Sequence, residues 1–74
     1  MSVQRRTVII RNSPHDGTFI LMDGHSRLTI GEPFASFGEA LRAAQQAAGS
    51  GTIWRENVDA RGRPLGAPVP VAPV

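Results

Sequence analysis

S36-F-G-E-A-L-R-A-A-Q-Q-A-A-G-S-G51 is the stretch whose reading decides the fold. Ser36 and Glu39 form a capping box: the hydroxyl accepts from the backbone N–H of residue 39, and the Glu39 carboxylate reaches back to the N–H of residue 36. Glu39 also suits the positive end of the helix dipole. Apolar residues at 37, 40, 41, 44 and 48 recur at helical spacing, and alanine is the best helix former. Gly49-Ser50-Gly51 supplies the stop. The pattern predicts a helix over 36–48. With one helix, the remaining apolar residues must form a sheet.

On the C-terminal side, Thr52-Ile53-Trp54-Arg55-Glu56-Asn57-Val58 reads as a strand, and Asp59 to Arg63 as a turn. Four prolines follow from Pro64 onward, which suggests a polyproline-like tail with few ladder bonds. On the N-terminal side, Thr7–Arg11 is β-branched and Thr18–Met22 is apolar, and the two predict an antiparallel hairpin. Arg27–Ile30 alternates like a short third strand, and Gly31-Glu32-Pro33 breaks the pattern. The expected fold class is α+β: a small, mainly antiparallel sheet of three or four strands with one helix on one face. Residues 1–63 form the single domain and 64–74 the flexible tail. If 27–30 is a strand, the last strand runs parallel to the first.

Residues 15–25, HDGTFILMDGH, read almost alike in both directions. An extended strand over 18–22 separates the two halves by about 20 Å. His15 and His25 therefore cannot share a metal, whose ligands must lie within about 2.2 Å of one centre. The same distance rules out Asp16 and Asp23 as a catalytic carboxylate pair, which needs about 5–9.5 Å. Turn chemistry explains both ends: Gly supplies positive φ, and Asp bonds its own backbone.

The composition narrows the function classes. The chain has 74 residues, no cysteine and a formal net charge of +2, so disulfide frameworks and thiolate metal or redox sites are excluded. The pI near 11.2 misleads: all eight basic residues are Arg, and they are dispersed. Nothing titrates between His and guanidinium, so a small positive excess persists to high pH. Q4-R-R-T-V-I-I10 faintly resembles a twin-arginine signal, but the apolar run ends at Arg11-Asn12. No segment reaches the roughly 18 apolar residues of a membrane span. The chain reads as soluble, unprocessed and cytoplasmic. Neither a phosphate-loop glycine pattern nor a nucleophile triad is present. No catalytic residue, metal ligand, cofactor or small-molecule substrate is assigned.

Parity along the strands divides the apolar residues. Val8, Ile10, Phe19, Leu21, Leu28 and Ile30 fall on one face with Phe37 and Leu41. Ile9, Ile20, Met22 and Trp54 fall on the other beside Arg11, with Ile53 and Trp54 able to exchange roles. One helix cannot cover two sheet faces. Met, aromatic residues and Arg are enriched at contacts. Ile9, Arg11, Ile20, Met22 and Trp54 thus form the candidate interface of a non-catalytic binding module, with a homodimer first and an unknown protein partner second. A small core gains from such association. The competing expectation is a weak nucleic-acid-binding module that stacks a base on Trp54 and uses Arg. It is disfavoured by having one aromatic where binding sheets show two or three. Pro70-Val71-Ala72-Pro73 matches P-x-x-P, a weak signal in a proline-rich end.

The hairpin, the Ser36/Glu39/Ala40 helix start, the Ala-rich helix, the Gly-bounded last strand and the Asp59/Gly62/Arg63 turn together resemble a small bacterial family of strand–strand–helix–strand domains. The resemblance covers about residues 6 to 63. Phe19 matches its aromatic in the second strand, and Leu28 to Pro33 lengthen its link before the helix. The family has no agreed activity, so the resemblance implies the fold and transfers no site.

Overall fold

The computed structural model describes residues 6–71. The chain runs β1 (Thr7–Asn12), β2 (Phe19–Asp23), β3 (Thr29–Phe34), α1 (Phe37–Ala48), β4 (Thr52–Glu56) and β5 (Val69–Pro70). One five-stranded sheet has the order β3-β2-β1-β4-β5. The β1–β2, β2–β3 and β4–β5 pairs are antiparallel, and β1–β4 is parallel. This is the α+β domain the sequence predicts, with a larger sheet. Because β3 exists, α1 acts as the crossover that returns the chain parallel to β1.

The helix forms where its caps place it. Ser36 is extended, and its Oγ accepts from Glu39 N. Gly49 closes the helix at φ 60° and donates to Gln45 O. Ala40, Ala44 and Ala48 are buried, and their small side chains let α1 lie close on Val8, Ile10 and Leu21. Phe37 meets Phe19 edge to face, ring centroids 5.7 Å apart. Past the helix, β4 starts against Arg6: a Cβ on Gly51 would sit 2.0 Å from the Arg6 carbonyl oxygen.

Three features depart from the expectations. First, β3 runs through Gly31-Glu32-Pro33 instead of ending there. Leu21 pairs with Ile30 and Phe19 with Phe34, so three residues of β3 oppose Ile20 alone. Gly31 at φ 69° supports this bulge, and Pro33 is tolerated because β3 is an edge. Second, Leu28 is 68% exposed, not part of the core. It belongs to the turn before β3, two strands from the place where the end of α1 meets Arg6.

Third, residues 64–71 lie along β4 where a tail with few ladder bonds was expected. Leu65 N donates to Asn57 O, and Val71 N donates to Ile53 O. Strand N–H groups alternate in direction, so Val69 and Val71 turn their donors toward β4. Pro68 and Pro70 take the outward positions, where a missing N–H costs nothing on an edge. The P-V-P-V pattern is thus that of a one-sided edge strand. The P-x-x-P match ends at Pro73 and the arginine pair begins at Arg5, both outside the described residues.

Candidate functional site

The near-palindrome occupies two turns at opposite ends of the β1–β2 hairpin, where Asn12 pairs with Phe19 and Val8 with Asp23. Asp16 Oδ1 accepts from Thr18 N and, at 2.7 Å, from the Thr18 hydroxyl. The Thr18 hydroxyl, and then its backbone N–H, hold the Asp16 carboxyl below its ordinary value. Asp23 Oδ1 accepts from His25 N and Ser26 N, and Oδ2 from Arg6 Nε at 3.0 Å. These backbone bonds first, then the Arg6 hydrogen bond, lower Asp23 to about 2. Both carboxylates are committed to their own turns, and both His side chains are exposed.

The helix-free face holds the sequence-predicted residues together. In the β1–β4 register Ile9 pairs with Trp54 and Arg11 with Glu56, while Ile9 pairs with Met22 and Arg11 with Ile20 across β1–β2. Ile9, Arg11, Ile20, Met22 and Trp54 therefore share one face. Ile53 packs against the core under α1, which settles its exchange with Trp54. Trp54 Nε1 donates to the Thr52 hydroxyl at 3.3 Å, and its ring is half-buried. Beside it lies a cavity of about 300 Å³ walled by Thr7, Ile9, Gly24, Trp54 and Pro68.

This face is drier than an uncovered sheet should be, since Ile9 and Met22 are each only 5% exposed. A residue missed in the sequence accounts for much of this. Glu56 is 2% exposed, the buried charged side chain among the described residues. Its Oε1 accepts from Arg11, with Nε at 3.0 Å, and its Oε2 accepts from Arg27 at 3.1 Å. Arg27 lies in the turn after Asp23, which pairs with Val8, three residues along β1 from Arg11. The Arg27 and Glu56 side chains must therefore bridge this separation between them, meeting at 3.1 Å. Arg stems laid over apolar surface exclude water from it. Arg27 adopts φ 63°, unusual for a non-glycine residue, and donates its own N–H to Asp23 O.

Burial alone would raise the Glu56 pKa. The hydrogen bonds from Arg11 and then Arg27 outweigh it and keep the carboxyl below its ordinary range. A buried carboxylate held ionised by two guanidiniums is a structural clamp: both oxygens are occupied, so it offers no base to a substrate. Nothing in T-I-W-R-E-N-V marks Glu56 as buried. The signal available was parity, which puts it on the same face as Trp54 and opposite Arg11.

No helix among the described residues is long and apolar enough to cross a membrane. None of the protein families, curated proteins or solved structures compared with the chain matches it.

Proposed function

We propose that the chain is a non-catalytic binding module that uses its helix-free sheet face, with a second copy of itself as the partner. The observation that carries this reading is an apolar patch beside a shared charge clamp on one sheet face. Arg6 is neutralised by Asp23, and Arg11 and Arg27 converge on Glu56. On the same face as the Glu56 cluster lie Ile20, which pairs with Arg11, and Trp54, which pairs with Ile9, with the cavity beside the Trp54 ring. Two such faces can meet about a two-fold axis through this apolar patch, with Glu56 offsetting part of the Arg11 and Arg27 charge, and self-complementarity is what a two-fold interface requires. The same pairing weighs against nucleic acid, since Arg11 and Arg27 already share the Glu56 carboxylate and Trp54 is the single aromatic of this face.

Sedimentation at several concentrations, combined with Trp54 emission, tests the proposal. Association with a blue shift of Trp54 is expected. Ile20→Asp should return a monomer with an unchanged fold; Ile9 and Met22 are too buried to serve as surface probes. A concentration-independent monomer with constant emission would overturn self-association.

A further inference from the structure

The other side of the sheet carries a surface of different character. Leu65 and Val69 are 67% and 60% exposed, and both belong to the segment that edges β4. Two cavities flank them. One, of about 210 Å³, lies between the end of α1 and β4, walled by Leu41, Gln45, Thr52, Ile53 and Val71. The second, of about 370 Å³, is walled by Arg55, Asn57, Leu65 and Val69. They share no wall residue; the second is a groove along the end of β4 and the 64–71 segment, with no α1 residue in its wall.

The charge along this groove is unpaired. Arg6 holds Asp23, and Arg11 and Arg27 share Glu56. Among the described residues Arg42, Arg55, Arg61 and Arg63 form no ion pair. Arg55 sits in the groove wall, its guanidinium 4.5 Å from the Phe37 ring centroid. Arg61 and Arg63 lie in the turn that leads into Leu65. The nearby Asp59 carboxylate accepts at Oδ1 from the backbone N–H groups of Arg61 and Arg63 and forms an ion pair with neither guanidinium.

We infer that this groove docks an acidic polypeptide segment bearing apolar side chains, with its carboxylates on Arg55 and on Arg63 at its end, and its apolar residues on Leu65 and Val69. Charge complementarity selects the occupant. A second copy would bring its own unpaired Arg residues into like-charge contact, which disfavours assembly. The partner is held through side chains: Pro68 and Pro70 leave the outer edge of β5 short of donors, so strand addition there is blocked. The inference is independent of the open-face proposal, because the two surfaces lie on opposite sides of the sheet.

The test is an NMR titration of the ¹⁵N-labelled full chain with three probes: a short synthetic peptide of Glu interspersed with Leu, the same peptide with Lys for Glu, and oligothymidylate. The Glu/Leu peptide should shift the amides of Arg55, Asn57, Leu65 and Val69 and leave Trp54 and Ile20 unmoved. Raising salt should weaken it. Arg55→Glu should weaken it by about tenfold or more, as reversal of a contact charge does. Arg63→Glu, on an exposed turn, should act in the same direction and keeps the test decisive if Arg55→Glu disturbs Phe37. Absence of shifts, shifts confined to the Trp54 side, an equal response to the Lys peptide, or preference for oligothymidylate would each overturn the inference.

Discussion

The two faces of the sheet are dried by different means. On one, α1 lays Ala40, Ala44 and Ala48 over Val8 and Ile10, which are fully buried. On the other no helix is present, yet Ile9 and Met22 keep only 5% exposure. Backbone-fixed packing covers the first face, whereas flexible side chains ion-paired over a buried carboxylate cover the second. A small domain with one helix can thus close both sides of its sheet, provided that the second cover is electrostatic. The first face should be sensitive to lost volume and the second to lost charge.

The largest expected effects come from breaking each cover in its own way. Ile10→Ala should lower stability by roughly 2–5 kcal/mol, because the helix cannot collapse fully into the cavity. Ile9→Ala should cost distinctly less, since the side chains above it can settle inward. Urea melts of the two variants would compare them directly. Equal losses would mean that the open face is packed as rigidly as the core.

Arg11→Met removes one of the two partners of Glu56. Breaking a buried pair costs about 3–5 kcal/mol, and the surviving Arg27 contact places the expected loss near the lower figure. Adding Glu56→Leu should recover most of it, since apolar replacement of a whole buried ion pair is often close to neutral. A double-mutant cycle read by thermal melts gives the coupling. If Arg11→Met and the double variant melt alike, then Glu56 is not the clamp of this face.

What was legible in the sequence follows the same division. Local signals placed α1: the Ser36 cap, the alanines and Gly49. Parity placed Val8, Ile10 and Leu21 under the helix and Ile9, Met22 and Trp54 on the other side. The electrostatic cover was not legible. Arg11 and Arg27 lie 45 and 29 residues from Glu56 in sequence, and no local pattern encodes which distant carboxylate a long side chain will reach. Leu28 fits a strand by its spacing from Ile30, but the left-handed Arg27 before it begins the chain's exit from the turn. The P-V-P-V segment was read through its prolines, which exclude a central strand. Its two inward donors, which permit an edge strand, were the missed half of the pattern.

A smaller effect sharpens the contrast from the helix side. Ser36→Ala removes the acceptor of Glu39 N and should cost about 1 kcal/mol. Because the cap lies on the helix side of the sheet, Trp54 emission in the folded state should stay as in the unaltered chain. A spectral shift would mean that the two covers are coupled.

The smallest expected effect concerns the turn from which Arg27 starts. Asp23 accepts from Ser26, His25 and Arg6, and its carboxyl is lowered from 3.8 to about 2. A carboxyl whose folded value is depressed favours the fold in its ionised form. Its contribution is therefore complete above the ordinary carboxylate range and is lost as pH falls from about 4 to about 2. Asp23→Asn should melt lower than the unaltered chain at neutral pH, and its curve should be flatter across that window. The two curves should converge near pH 2, where the native carboxyl is half-protonated and the turn loses its charged acceptor. Asp16 and Glu56, also lowered, leave a residual slope in both proteins, so the difference between the curves isolates Asp23. Exposed pairs are screened by salt, and the difference should shrink as ionic strength rises. Parallel melting curves from pH 5 to 2 would show that the Asp23 turn is held by its geometry alone, independently of the charge that the bonds from Arg6, His25 and Ser26 stabilise.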